Sequence, residues 1–243
     1  MDVLGKALQD ELHNGPAPCL RISTSLGTEE ELSPAYFFRP YEQMPELERI
    51  ALDLATGPVL DIGCGAGSHC LYLQDRGLEC LGVDYSPGAI QVAAERGVRN
   101  TQCENIWDFG SGKYGTLLLL MNGAGMSGSL ARLPALLRHL SGLLAPGGQI
   151  LLDSSDIIYL FEEDADGGVW VPGDRAYYGE VRYSWEYKGK KGRPFPWLFV
   201  DYPNLAAAAA KAGLVAEQVA EGPHYDYLAR LVQPAYQEPD INV

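Results

Sequence analysis

Residues 59–67, VLDIGCGAG, constrain the fold more than any other part of this chain. An apolar strand runs into three glycines at alternate positions, and a helix-like segment, 68–74, follows. Because glycine has no Cβ and adopts positive φ readily, such a turn lets the backbone approach a ligand closely. This order of strand, glycine turn and helix is typical of nucleotide-type cofactor sites.

Strand and helix patterns alternate from this point. We predict strands at 58–62, 79–84, 99–103, 115–121 and 149–153, and helices at 68–76, 87–96 and 130–144. Such alternation indicates right-handed βαβ units in a parallel sheet. Two aromatic runs around a Gly/Lys turn then predict an antiparallel hairpin at about 177–201. An alanine-rich helix, 205–212, and strands 214–220 and 225–232 follow, while residues 1–56 are predicted to be helical.

Composition limits the function classes. The chain has 243 residues, of which 47% are hydrophobic, and a formal net charge of −14. Such a field repels nucleic acid and anionic membranes. The five cysteines form no CxxC pair, and neither a signal peptide nor a membrane span is legible, so we predict a cytoplasmic protein. The four histidines show no ligand spacing, and no metal is predicted.

Two cofactor classes compete for the glycine turn. A dinucleotide fold requires G-x-G-x-x-G, whereas this chain has G-x-G-x-G preceded by Asp61. Asp84, at the end of the second predicted strand, can accept hydrogen bonds from ribose hydroxyls of either cofactor class. An aspartate at position 61 would, however, repel the pyrophosphate of a dinucleotide.

The segment 61–67 together with Asp84 resembles the first two motifs of class I S-adenosylmethionine-dependent methyltransferases. Residues 117–125 and 143–152 are similar to the fourth strand with its loop and to the helix-turn-strand signature of that family. The resemblance covers 57–154. It implies a three-layer α/β/α Rossmann-like fold, with a mostly parallel seven-stranded sheet, an antiparallel last strand and an inserted hairpin. S-adenosylmethionine is the implied cofactor.

The resemblance also implies site residues. Segment 1–56 would cover the cofactor, and 57–243 would form the methyltransferase domain. Glu104 is the residue expected to meet the adenine amino group, with Asp108 as its rival, and Arg39 would meet the cofactor carboxylate unless it is a surface arginine. The cofactor residues implied are Arg39, Asp61, Gly63, Cys64, Gly65, Gly67, Asp84, Tyr85, Glu104, Asn105, Ile106, Met121 and Asn122.

Asp153 and Asp156 follow the fifth strand, at the sheet edge where the acceptor would bind. Either carboxylate is a candidate base or positioning group, and a helix cap is the alternative. The aromatic residues of 177–197 are interpreted as an acceptor wall or as ordinary sheet packing. Loop 122–125 differs from the Asn-Pro-Pro-Tyr type found in enzymes that methylate DNA or glutamine amides.

We therefore predict methyl transfer to a small-molecule acceptor by in-line displacement. A nicotinamide-dinucleotide oxidoreductase and a non-catalytic S-adenosylmethionine-binding partner are the alternatives.

Overall fold

The structure, a computed structural model, describes residues 1–161, 169 and 176–234. Elements are numbered along the chain. The helices are α1 (Val3–Asn14), α2 (Glu46–Leu54), α3 (Ser68–Asp75), α4 (Pro87–Glu95), α5 (Leu133–Ser141) and α6 (Tyr202–Lys211). The strands are β1 (Leu20–Thr24), β2 (Glu29–Leu32), β3 (Val59–Ile62), β4 (Cys80–Asp84), β5 (Asn100–Cys103), β6 (Tyr114–Leu119), β7 (Leu144–Ser155), β8 (Glu180–Tyr187), β9 (Lys190–Lys191), β10 (Phe195–Leu198), β11 (Val215–Glu221) and β12 (Asp226–Val232).

The central sheet has seven strands in the order β11-β12-β7-β6-β3-β4-β5. Strands β3 to β7 are parallel to one another, and β12 runs antiparallel to both of its neighbours, β7 and β11. The order reverses between β3 and β6, and in open α/β sheets ligands bind at such a reversal. The predicted fold class is confirmed.

Helices cover both faces of this sheet, because its inner strands are apolar on both sides. Alternate residues of β6 and β7 point to opposite faces, so Leu117 and Ile150 join one core cluster while Leu118 and Leu151 join the other. Helices α5 and α6 pack on the first face, and α2 and α3 on the second. Leucines at positions 133, 136, 137 and 140 form the buried stripe of α5.

A second, antiparallel sheet has the order β10-β8-β1-β2, with β9 paired to β8. The predicted hairpin is present as β8 and β10, where Phe195 lies opposite Tyr183. The other neighbour of β8 is β1, in which Ile22 lies opposite Trp185. Strands β1 and β2, which come from the N-terminal segment, therefore complete a sheet whose other strands lie in the insertion.

The prediction of a helical segment over 1–56 was wrong in part. Helices α1 and α2 are present, but the segment also contains β1 and β2. Strand β2 has the sequence EEEL, and its local sequence favours no strand. Its strand conformation arises from pairing with β1, which itself pairs with β8 far along the chain.

No helix among the described residues has the length and apolar character needed to cross a membrane.

Candidate functional site

A cavity of about 870 Å³ opens at the carboxyl ends of β3, β4 and β6. One side is formed by the glycine turn and the strand ends, and the other by α1 and the second sheet. The structure brings the predicted cofactor residues together here, with the exception of Gly67. Those lining the cavity are Arg39, Asp61, Gly63, Cys64, Gly65, Asp84, Tyr85, Glu104, Asn105, Ile106, Met121 and Asn122.

The glycine turn is held by hydrogen bonds to β4. The backbone N–H groups of Gly63 and Cys64 both donate to the carbonyl of Val83, at 2.7 and 3.2 Å. Gly65, whose φ is +53°, donates its N–H to Asp84 Oδ2 at 3.0 Å. A positive φ at this position favours glycine, and the missing side chain leaves the backbone open to the cavity.

Gly67 has a different role from the other glycines. Its φ is +80°, and it precedes the first residue of α3. A Cβ at this position would lie 2.5 Å from Val98 Cγ2 and 3.1 Å from Ala93 Cβ. Gly67 therefore permits close packing of the glycine turn against Ala93 of α4 and against Val98, and its predicted cofactor contact stays a prediction.

Asp84 is a buried carboxylate at the end of β4, only 6% exposed. Its Oδ1 accepts the N–H of Ser86 at 2.9 Å, and its Oδ2 accepts that of Gly65. Burial raises its pKa to about 6, although these two N–H groups act in the opposite direction. Each oxygen retains a lone pair, so the group can also accept the two hydroxyls of a ribose.

The residues predicted at the adenine end line the same cavity beyond Asp84. Glu104 is partly buried and accepts a hydrogen bond from Gln102 Nε2 at 2.6 Å, and Ile106 is 6% exposed. Asp108, the rival of Glu104, is exposed and lies outside the cavity wall. The geometry favours Glu104 for the adenine contact.

Four side chains that are largely buried form a network of opposite charges beside the glycine turn. They are Arg39, Glu48, His69 and Asp61. His69 Nε2 lies 2.9 Å from Glu48 Oε2, and His69 Nδ1 lies 3.7 Å from Asp61 Oδ1. Glu48 also accepts from Arg39 Nη2, at 2.6 Å to Oε2, and Arg39 Nη1 donates to the carbonyl of Tyr36. Arg39 is 8% exposed, so the surface-arginine alternative was wrong.

The charges of this network balance. Burial by itself would lower the pKa of His69, but its contacts with Asp61 and Glu48 prevail and raise that pKa to about 10. Burial would raise the pKa of Glu48, yet His69 and Arg39 hold it below its usual value. Two cations therefore neutralise two carboxylates at neutral pH, and the negative charge of Asp61 is already paired.

Sequence reasoning missed Glu48 and His69. Glu48 is nine residues from Arg39 and lies on a different element from His69, and neither residue belongs to a motif. The only signal was the position of His69 at the second residue of the helix that follows the glycine turn.

The end of β6 forms a left-handed turn on the cavity wall. Met121 and Asn122 have φ values of +62° and +60°, which are uncommon for residues other than glycine. Asn122 N–H donates to Asp153 Oδ1 at 2.9 Å, and Ser155 Oγ donates to Asn122 Oδ1 at 3.0 Å. Burial raises the pKa of Asp153 to about 7, against the effect of the Asn122 N–H. Asp153 supports this turn from outside the cavity wall.

Asp156 also lies outside the wall. It accepts the N–H of Ile158 at 2.9 Å and the hydroxyl of Tyr178 at 2.8 Å. The helix-cap alternative does not apply to Asp156, because the short 3-10 turn that follows, Ile158–Leu160, has Ile157 at its N-cap and no side-chain cap. The catalytic roles of Asp153 and Asp156 stay predictions.

Aromatic side chains of the second sheet line the end of the cavity next to the loop that follows β6. The rings of Phe195 and Trp197 meet edge to face at 6.0 Å, and those of Tyr183 and Phe195 stack at 5.9 Å. Trp185 and Phe199 also line this end. Tyr177, Tyr178 and Tyr187 from the predicted aromatic cluster lie elsewhere, and their hydroxyls bond to Asp201, Asp156 and Asp10.

Comparison with known proteins identifies the family. A family model described as a methyltransferase domain matches residues 37–219, most of the chain. An S-adenosylmethionine-dependent methyltransferase from Bacteroides fragilis, solved in complex with S-adenosyl-L-homocysteine, is 43% identical. It superposes with a TM-score of 0.88 over 96% of this chain and 94% of that one. This chain belongs to the methyltransferase family.

Two other relatives are more distant. The 2-heptyl-1-hydroxyquinolin-4(1H)-one methyltransferase of Mycobacteroides abscessus is 41% identical in an 86-residue alignment that covers 32% of this chain. The match spans only 38% of that relative's length. The CcbJ methyltransferase of Streptomyces caelestis is 20% identical, with a TM-score of 0.60 over 82% of this chain and 92% of that one, and shows the fold alone.

The predicted resemblance and the predicted cofactor, S-adenosylmethionine, are confirmed, and the dinucleotide alternative is set aside. The residues of the cavity fit this cofactor. Asp84 offers a carboxylate for ribose, and Gly65 leaves its side of the cavity free of a side chain. Arg39 Nε is buried and has no hydrogen-bond partner among the described residues.

Proposed function

We propose that this protein is an S-adenosylmethionine-dependent methyltransferase that transfers a methyl group to a small-molecule acceptor by in-line displacement. The single observation that carries the proposal is the cavity, which is lined both by the glycine turn and by the aromatic residues of the second sheet. Its volume of about 870 Å³ falls in the range of small-molecule sites, which are about 300–1,000 Å³.

The residues that would hold the cofactor follow from the geometry. Asp84 would accept the ribose hydroxyls, Glu104 would accept the adenine amino group, and Gly63 and Gly65 would present bare backbone. The bound cofactor supplies a methyl group that is activated by a positively charged sulfur. The chain's own task is then to align the acceptor with that methyl group, and orientation can supply much of the acceleration.

Asp153 keeps its proposed role as a base or positioning group. Its position behind Asn122 supports positioning, because it fixes the left-handed turn on the cavity wall. Asp156 is the weaker candidate, since its Oδ1 already accepts hydrogen bonds from the Ile158 N–H and the Tyr178 hydroxyl.

The proposal extends to the domain boundaries and the cellular setting. Residues 57–243 would form the methyltransferase domain, and 1–56 would cover the cofactor, which the cavity contacts of Leu4 and Phe37 support. A cytoplasmic location is supported by five cysteines that are all free thiols. The net charge of −14 argues against nucleic acid as the acceptor.

Two experiments test this function in sequence. Calorimetry should detect binding of S-adenosylmethionine and S-adenosylhomocysteine, and no binding of a nicotinamide dinucleotide. Absence of binding to the first two would refute the proposal. Incubation with methyl-labelled cofactor and a fractionated metabolite extract should then yield a labelled small product, whereas a binding-only protein would yield none.

A further inference from the structure

We infer that the methyl acceptor is a flat aromatic molecule whose nucleophilic oxygen is negatively charged, held between the aromatic face of the second sheet and the guanidinium groups of Arg132 and Arg193. This inference rests on the proposed function and names its substrate class. The aromatic face consists of Tyr183 and Trp185 on β8, Phe195 and Trp197 on β10, and Phe199, which follows β10.

The sheet presents these rings to the cavity because they occupy alternate positions on each strand, with polar neighbours on β8 and with Pro196 and Leu198 on β10. Tyr183 and Trp185 are two positions apart on β8 and therefore share one face, while Arg182, Ser184 and Glu186 share the other. The cross-strand pairs agree, since Phe195 lies opposite Tyr183. All five rings are only partly buried. They therefore offer surface to a ligand in addition to packing against one another.

The aromatic face also reaches the turn at the end of β6. A side chain at Gly125 would overlap the indole of Trp197, with a Cβ only 2.1 Å from Trp197 Nε1. This close approach brings Trp197 next to the loop that follows Met121 and Asn122. An acceptor ring lying on the aromatic face would thus be near the carboxyl end of β6. Stacked and edge-to-face ring contacts favour a flat aromatic ligand there.

Charges along the cavity are distributed unequally. The carboxylates on its wall, Asp2, Asp61, Asp84 and Glu104, come from the N-terminus and the ends of β3, β4 and β5. The cationic side chains on the wall are Arg39 and His69, which are paired with Glu48 and Asp61, and Arg132 and Arg193. Arg193 is two positions before Phe195, and the Arg132 guanidinium lies 4.7 Å from the Trp107 ring.

Both arginines are exposed on the cavity rim. Neither makes an ion pair with a carboxylate of the described residues. Their positive charge would attract an anionic acceptor and stabilise its ionised form, while it would oppose a protonated amine.

The chemistry of an ionised oxygen acceptor balances without a proton transfer. A lone pair of the oxygen forms the new O–C bond, the C–S bond breaks, and its electron pair stays on sulfur. One negative oxygen and one positive sulfur both become neutral. The ionised acceptor therefore needs no base at the moment of transfer, and what the site must do is favour its ionised form.

The test uses 4-nitrophenol, 4-cyanophenol and 2-naphthol, a series of decreasing acidity, with 2-naphthylamine and cyclohexanol as matched non-acidic compounds. We expect methyl ethers from the hydroxy aromatics and at least about tenfold lower kcat/KM for the other two. The pH at half-maximal kcat/KM should rise along the series as the acidity of the acceptor falls.

Variants distinguish an acceptor that is already ionised from one that is deprotonated by a side chain of the enzyme. Arg132→Gln and Arg193→Gln should raise KM for 4-nitrophenol about tenfold or more and leave the affinity for S-adenosylhomocysteine unchanged. In Asp153→Asn, the pH at half-maximal kcat/KM should still rise as the acidity of the acceptor falls. A single pH midpoint for all acceptors that disappears in Asp153→Asn would overturn the inference.

Two further outcomes also count against it. Preferred methylation of 2-naphthylamine or cyclohexanol would assign a different acceptor class. Binding of S-adenosylhomocysteine without methylation of any hydroxy aromatic would reject the acceptor class and leave the cofactor assignment intact. Failure to bind S-adenosylhomocysteine would instead refute the proposed function.

Discussion

Asp84 is a buried carboxylate that contacts both the glycine turn and the start of α4. We expect Asp84→Asn to weaken S-adenosylhomocysteine binding by at least about tenfold, because hydrogen bonds to a charged group are worth about 1.5–3 kcal/mol. Calorimetry at pH 8 measures the change. Asp108→Asn is the matched control, since that carboxylate is exposed and outside the wall, and an equal loss in both variants would contradict the ribose assignment.

The pKa of Asp84 adds a pH dependence. With that pKa raised to about 6, the carboxylate is ionised at pH 8 and protonated below pH 6. The protonated acid is a weaker acceptor, so affinity in the wild-type protein should decrease as the pH falls through 6. Asp84→Asn should lack this decrease.

His69 links the glycine turn to the buried Arg39–Glu48 pair. Its pKa rises from 6.5 to about 10 on folding, so the folded state binds more protons between these values. The resulting stabilisation is complete below pH 6.5 and is lost as the pH rises towards 10. We expect His69→Gln to cost roughly 3 kcal/mol at pH 7, because one cation is removed from a buried network.

Urea unfolding at several pH values from 6 to 10 measures this effect. The free energy of unfolding should fall with pH in the wild-type protein and fall much less in His69→Gln. His13→Gln is the control, since His13 forms an exposed pair with Glu95. Identical slopes in the wild type and His69→Gln would show that the network does not hold the proton.

At the residue scale, sequence patterns located residues of the cavity wall where a residue belongs to a local motif. Asp84 and Gly65 follow from the strand and the turn in which they occur. Glu48 and His69 could not be found in this way, because three-dimensional folding brings them together. Asp153 was located at the correct strand end, but a strand position does not say whether a carboxylate enters the cavity or supports its wall.

At the scale of elements, the glycine turn packs closely against α4 and against Val98 at Gly67. We expect Gly67→Ala to destabilise the protein by about 1–2 kcal/mol through its positive φ, and by a further ~1–3 kcal/mol through contact with Val98 and Ala93. Gly77→Ala is a matched control, because Gly77 also has a φ of +80° but has no atom within 4 Å of its would-be Cβ.

Chemical denaturation measures both variants. The difference between them isolates the packing contribution from the backbone contribution. Equal losses in Gly67→Ala and Gly77→Ala would mean that Val98 and Ala93 can make room for the added methyl group without cost.

Elements with strong local patterns were predicted well. The strands and helices from β3 to β7 occur in the predicted order, and observed bounds such as Ser68–Asp75 and Pro87–Glu95 are within one residue of prediction. Strand β7, in contrast, begins at Leu144, five residues before the predicted strand and within the predicted helix 130–144. Strands β1 and β2 were missed because their hydrogen bonds go to each other and to β8. A short strand of this kind has little signal in its own sequence.

For the whole molecule, cofactor binding should be visible as stability. A ligand that binds only the folded state at 100 times its Kd stabilises it by about 2.7 kcal/mol. We therefore expect S-adenosylhomocysteine at that excess to raise the free energy of unfolding by about this amount, measured by urea denaturation. The same concentration of a nicotinamide dinucleotide should have no effect, and equal stabilisation by both would contradict the assigned cofactor.

The pairing of β1 with β8 has a consequence for how the protein is made. Ser23 and Ser184, which meet in this pairing, are 161 positions apart. At about 5–20 residues per second, the ribosome needs roughly 8 to 30 s to synthesise the chain between them. Leu20 and Ile22, buried in the finished protein, have no β8 partner during that time. The nascent chain thus exposes apolar residues of β1 until β8, in the last third of the chain, has been synthesised. We therefore expect β1 to be a site of chaperone contact during synthesis.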